Sequence, residues 1–178
     1  MPKKIELELN AARKFKDENG QCLFCAMVEE EVAFKKRLVY ENDTFIAYMP
    51  FFADYAYGVY IAAKQHISRI NQLDEKGKAD LADIIKVVLG SYDELFDYKF
   101  PYMMTMHNAP VNSEDEYPGN DAYFHFHIEL YPPMRSADKQ QFMASSETGI
   151  WAHCNPTAPE AKAEELRAAV DKFLKSGK

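Results

Sequence analysis

The stretch YFHFHIELYPP, residues 123–133, decides the reading of the fold. Two histidines stand two apart, and a glutamate follows at the same interval. Alternate residues of a strand share a face, so His125, His127 and Glu129 point one way while Phe124, Phe126 and Ile128 point the other. The apolar row suits a core. A core has no use for two imidazoles and a carboxylate in line, whereas a metal site or a phosphate-handling site does.

Working outward, RLVYEN (37–42) and TFIAYMP (44–50) read as strands joined by a tight turn at Asn42-Asp43, and YGVYIAAK (57–64) as a third strand. PYMMTMHN (101–108) comes before the histidine strand, separated from it by APVNSEDEYPGND (109–121), which is polar, acidic and rich in turn formers, and so a surface loop. Leu81, Ile84, Ile85, Val88 and Leu89 recur at helical spacing within residues 74–97. Residues 3–17 read as a helix stopped at Asn19-Gly20. A second amphipathic helix follows Thr157 to the end. Strands grouped together with helices set apart predict an α+β fold, an antiparallel sheet with packed helices. The expected organisation is an N-terminal helix over 1–19 and one domain over 20–178.

With 178 residues, 47% of them apolar, the chain can bury a sizeable core. Its net charge of −7 argues against a broad nucleic-acid footprint but leaves room for a small anionic substrate at a local site. The first ten residues, MPKKIELELN, are too charged for a signal peptide, and no apolar run reaches the ~18 residues of a membrane span. The expectation is a cytoplasmic protein with no membrane and no nucleic-acid partner. Three cysteines, an odd number, do not make a disulfide framework.

Two of those cysteines form Cys22-x-x-Cys25 in CLFC. Thiolates at this spacing chelate zinc, because the turn between them directs both sulfurs inward. A chance pair in an apolar turn and a redox pair are the alternatives, the second weakened by the lack of a thioredoxin-like βαβ pattern. Zinc needs two further ligands. His66, in AAKQHI after the third strand, and His125 would close a Cys2His2 tetrahedron, though His66 alone reads as an ordinary surface histidine.

The order C-x-x-C, VYENDTFIAYMPF, K-Q-H and HFHIELYPP resembles the histidine-triad superfamily. More closely, ENDTFIAYMPFFADYAYGVYIAAKQHISRI, LFDYKFPYMMTMHNAP, HFHIELYPPMRS, QFMASSE and PTAPEAKAEELR resemble, in order, the C-terminal half of the galactose-1-phosphate uridylyltransferase family. The likeness covers roughly residues 20–172. It implies a histidine-triad-like sheet and a zinc site at Cys22, Cys25, His66 and His125. It also implies an alternative zinc or iron site at His107, His125 and His127 with a carboxylate from the enzyme's first half, so that His125 is claimed twice.

In triad register His125, His127 and Glu129 take the first, second and third positions. His127 is then a candidate nucleophile oriented by Glu129, or a leftover or ligand in a catalytically silent half. The family's nucleophile lies in a His-Pro-His of the first half, which this sequence lacks. The resemblance also implies substrate contacts from Phe142 and Glu147, although Gln141 and Ser146 depart from the family's basic and aromatic residues there. The implied substrates are a UDP-sugar and a hexose 1-phosphate. The implied partner is a second copy or a first-half domain, and the isolated chain is expected to be inactive. A stand-alone triad hydrolase or phosphorylase using His127, and a non-catalytic zinc-stabilised interaction module, are the competing readings. The aromatics Tyr48, Phe51, Phe52, Tyr55, Tyr57 and Tyr60 suggest more apolar surface than one core needs, and hence a dimer.

Overall fold

The computed structural model describes residues 1–113 and 115–177. Glu114 of the expected acidic loop, and Lys178 at the end of the expected 20–178 domain, lie outside them. Helices α1 (Lys3–Asn19) and α2 (Leu23–Phe34) come first, followed by strands β1 (Leu38–Glu41), β2 (Phe45–Tyr48) and β3 (Val59–Ala63). Helix α3 (Glu75–Leu95) leads to β4 (Met103–His107) and β5 (His127–Tyr131). A small hairpin, β6 (Met134–Ser136) and β7 (Lys139–Gln140), the short α4 (Ser145–Ile150) and the long α5 (Pro159–Ser176) complete the order.

Among the described residues β1 to β5 form one antiparallel sheet in the order β1-β2-β3-β5-β4. The expected α+β fold is therefore present. Phe45, Ile61, Ile128 and Leu130 face α3 and α5 and make the main core with Ile84, Val88, Leu166 and Phe173. Helix α3 starts at Asp74, whose side chain accepts from the Gly77 amide at 2.7 Å. Where α3 meets α5, a Cβ on Gly90 would fall 2.2 Å from the Phe173 ring, so only glycine allows this approach.

The opposite face of the sheet carries the polar row. Ile46, Tyr48 and Ala62 pack there against Cys22, Phe24 and Val28 at the start of α2. Helix α1 covers the β4–β5 end: its Lys4 reaches Glu129 at 2.5 Å and its Glu8 reaches His107 at 2.8 Å, while Leu9 and Ala12 join Tyr117, Tyr123 and Phe124 in a separate apolar cluster.

Three sequence expectations need correction. The histidine strand begins only at His127, so Phe124 packs under α1 rather than sharing the main core with Phe126 and Ile128. A 3-10 turn at Asn120–Ala122 still bends the chain just before it. Residues 23–34 form a helix, where the sequence reading placed only a chelating turn at 22–25. The six aromatics split: Tyr48 and Tyr57 are buried in different clusters, and Phe51 and Phe52 are the two that stand exposed.

Candidate metal centre

The start of α2 places the two thiols. Cys22 is the N-cap residue in extended conformation and Cys25 lies in the first helical turn, so both sulfurs converge on the helix N-terminus, where free amides favour a thiolate. The chain leaving β3 brings His66, and the chain entering β5 brings His125. Cys25 Sγ lies 3.4 Å from His66 Nδ1 and 3.5 Å from His125 Nδ1, and Cys22 Sγ lies 3.9 Å from His125 Nδ1. The four donor atoms all fall within 4.8 Å of one another. Tetrahedral zinc, with bonds of about 2.3 Å to sulfur and about 2.0–2.1 Å to nitrogen, needs S···N edges of about 3.5 Å. The donor set fits such an ion in both chemistry and size.

Hydrogen bonds on the outer side of each ring set its orientation. His66 Nε2 faces the Asp121 carbonyl at 2.7 Å, and His125 Nε2 faces the Ala63 carbonyl at 3.0 Å. A carbonyl only accepts, so each Nε2 carries the hydrogen and each Nδ1 offers its lone pair to the sulfurs. The thiols are coupled. The hydrogen bond from Cys25 lowers Cys22 far below the ordinary thiol range, burial opposes this, and His125 and His66 assist. Cys25 is raised in return, first by Cys22 and then by burial.

A second cluster lies one step along β5. His107 and His127 are cross-strand partners, with ring centroids 4.5 Å apart. His107 Nδ1 donates to Glu8 Oε2 at 2.8 Å, and its Nε2 is 3.1 Å from Thr105 Oγ1. His127 is fully buried. Phe24 stacks on its ring at 4.0 Å, and Ala62 is its partner on the neighbouring strand. His127 Nδ1 donates to the His125 carbonyl at 2.8 Å, so Nε2 presents a lone pair. That lone pair faces carboxylate oxygens of Glu129 at 3.4 Å and Glu8 at 3.6 Å and has no hydrogen-bond partner among the described residues. A lone pair between two carboxylates is repulsive unless a proton or a metal ion lies there. For Glu129, burial acts to raise its pKa, but a hydrogen at His127 Nε2 directed toward it, with His107 and Lys4, brings it down to about 2.

The sequence assigned His125 to both sets. The structure gives it to the cysteine quartet, and groups Glu8, His107 and His127 as the second set. A carboxylate of this chain's own α1, Glu8, stands beside the two histidines, where the resemblance implied one from a first half. Nothing in the residue pattern around Glu8 signalled that role, because its partners lie about a hundred residues away. Phe142 and Glu147 are not brought to either cluster. Phe142 is 80% exposed, and the Glu147 carboxylate accepts from the Ala144 amide at 3.0 Å at the start of α4. Phe142 borders a small hollow with Arg135, Gln141 and Cys154.

Residues 8–176 match the family described as galactose-1-phosphate uridyl transferase, C-terminal domain. The chain belongs to this family. It is 43% identical over 167 residues to the galactose-1-phosphate uridylyltransferase of Thermotoga maritima, covering 94% of this chain and 51% of that protein. It is 35% identical over 168 residues to that of Saccharomyces cerevisiae, covering 94% of this chain and 45% of that protein. A solved uridylyltransferase structure superposes with a TM-score of 0.87 at 32% identity, covering 97% of this chain and 52% of that one. The chain thus spans about half the length of these relatives. A zinc-bound histidine-triad family protein from Mycobacterium smegmatis shares the fold, with a TM-score of 0.56 at 19% identity. Among the described residues of this C-terminal domain no helix is long and apolar enough to cross a membrane.

Proposed function

We propose that this chain is the second half of a hexose-1-phosphate uridylyltransferase, acting on a UDP-sugar and a hexose 1-phosphate in the cytoplasm and leaving nucleophilic catalysis to a first-half domain. One observation carries the reading: His127, the candidate nucleophile of the sequence, is enclosed. Its Nδ1 is committed to a backbone carbonyl and its Nε2 faces two carboxylates, whose charge repels a phosphate. An imidazole that attacks phosphorus needs an open, electropositive approach. His127 serves here as a ligand or structural base, with Glu129 as its neighbour rather than a catalytic orienter.

The metal reading is zinc in the cysteine quartet, since two soft thiolates with two imidazoles select it. Iron or zinc suits Glu8, His107 and His127. When bound, the quartet metal supplies a crosslink between α2, the end of β3 and the start of β5. Cys22, Cys25, His66 and His125 hold it, and the stacked Phe24 shields the ring of His127 next to it. Phe142 and Glu147, on the exposed segment after β7, are the substrate contacts, with the carboxylate accepting two hydroxyls of a sugar.

The support for a partner lies in β4. It is an edge strand with Met103, Met104 and Met106 all exposed, beside exposed Tyr102. The reading is that this edge receives a strand of the first-half domain, the length that the relatives carry beyond this chain. Light scattering of the chain alone tests the other occupant, a second copy.

The functional test mixes the purified chain with the separately produced first half of the Thermotoga maritima relative, UDP-glucose and galactose 1-phosphate. The expected result is no transfer by the chain alone, transfer by the mixture, and a loss of roughly tenfold or more with Glu147→Ala. Turnover by the chain alone that His127→Ala abolishes would overturn the proposal in favour of a stand-alone triad enzyme.

A further inference from the structure

His66 is the weakly held member of the quartet. It sits on an exposed turn after β3, outside any strand, and its ring is aimed by one hydrogen bond, from Nε2 to the Asp121 carbonyl at 2.7 Å. That carbonyl belongs to the Asn120–Ala122 turn, far along the chain. What holds the turn in place is Arg69, three residues after His66. Its guanidinium pairs with the Asp121 carboxylate, donates to Asn120 Oδ1 at 3.2 Å, and donates to the carbonyls of Ala109 at 3.1 Å and Pro110 at 3.2 Å. Ser68 Oγ adds a bond to Asp121 Oδ1 at 2.6 Å, and Asn120 is fully buried. The connections close a ring: imidazole to carbonyl, carboxylate to guanidinium, and three residues of backbone back to the imidazole. A planar fork with several donors can span these acceptors, and a lysine cannot.

We propose that Arg69 and Asp121 are positioning residues of the metal centre, which act by fixing the carbonyl that turns His66 Nδ1 toward the two thiols. The proposal rests on the metal reading of the quartet. It goes beyond that reading by making the Asn120–Ala122 turn part of the site through a backbone carbonyl. A groove that only packs the loop would stabilise the fold without regard to metal. A latch acting through His66 alters metal affinity and coordination, and does so only while His66 is present.

The experiment titrates the metal-free full chain with Co2+ against a competing chelator, reading affinity and the visible spectrum. The expected result for Arg69→Gln is roughly 10–100-fold weaker binding, the usual cost of losing an outer partner of a metal-bound histidine. Its spectrum should move toward that of His66→Ala, with the thiolate charge-transfer bands kept. Arg69→Gln added to His66→Ala should cost nothing further, since the latch then has no ring to aim. Asp121→Asn, which keeps a group able to bond Ser68, gives the same readings if Arg69→Gln does not fold. Unchanged Co2+ affinity and spectrum in Arg69→Gln, with a lowered Tm, would overturn the latch and leave a structural clamp. An equal loss with and without His66 would overturn it too. If the unsubstituted chain takes up no Co2+, the metal reading itself falls and the latch with it, an outcome distinct from the other two.

Discussion

The two ligand clusters stand two residues apart on the same length of chain, at His125 and at His127, yet they are built in opposite ways. The quartet is soft and assembled from element ends: the cap of α2, the exit of β3 and the entry to β5. Each of its imidazoles is anchored by a backbone carbonyl. The second cluster is hard, carboxylate-rich and set on regular strand positions, His107 opposite His127, and it depends on α1 to bring Glu8. The lesson is that one short stretch of chain can offer its imidazoles to two donor sets when an approaching helix decides which donors each imidazole meets. Around the quartet, folding orients lone pairs toward a shared centre. Around the second cluster, folding buries charge against charge.

The largest effect that separates them is metal loss. Cys22→Ser should abolish tight zinc binding. With free metal at a thousand times its Kd, removing the bound ion costs about 4 kcal/mol, read as a fall in Tm that chelator reproduces in the unsubstituted chain. The second cluster should show itself in acid instead. Glu129 is held at about 2 in the folded chain, by His127, His107 and Lys4 acting against its burial. Its folded pKa is depressed, so its contribution is fully present above the ordinary carboxylate range and fades as pH falls from there through about 2. That contribution is on the order of 3 kcal/mol, and an acid-unfolding series of Glu129→Gln should lack it. The quartet should be indifferent to that substitution.

A smaller effect sharpens the same contrast. Glu8→Ala leaves the buried His107 Nδ1 hydrogen without its acceptor, and should cost roughly 1–3 kcal/mol with zinc at the quartet retained. Zinc content and urea midpoint measured on one sample check both halves of this statement. The smallest effect concerns the outer segment. Glu147→Ala should leave the urea midpoint nearly unchanged, since its bonds to the Ala144 amide and Ser146 are local, while lowering transfer in the reconstituted mixture.

The two thiols and His125 were legible in C-x-x-C and in the alternation of His125 with Phe126, whereas His66 alone read as a surface histidine and joined them through the family resemblance. The strands around them were legible in the same kind of local pattern. Helix α2 was not, although Phe24, Val28 and Val32 keep helical spacing. Glu31 is buried where that spacing calls for an apolar residue, paired there with the Arg37 guanidinium 2.7 Å away. The reach of Glu8 to His107 and the carbonyl that aims His66 were also hidden. The first joins residues 99 apart, and the second is a backbone atom that has no letter in a sequence. Phe124 was assigned to the wrong cluster because a period-two pattern does not show where a strand begins.

The most direct test of the account is elemental analysis of the purified chain beside its Cys22→Ser and His107→Ala variants. The account predicts about one zinc per chain at the quartet, lost in Cys22→Ser and retained in His107→Ala. A chain without zinc, or zinc that survives Cys22→Ser and disappears with His107→Ala, would contradict it.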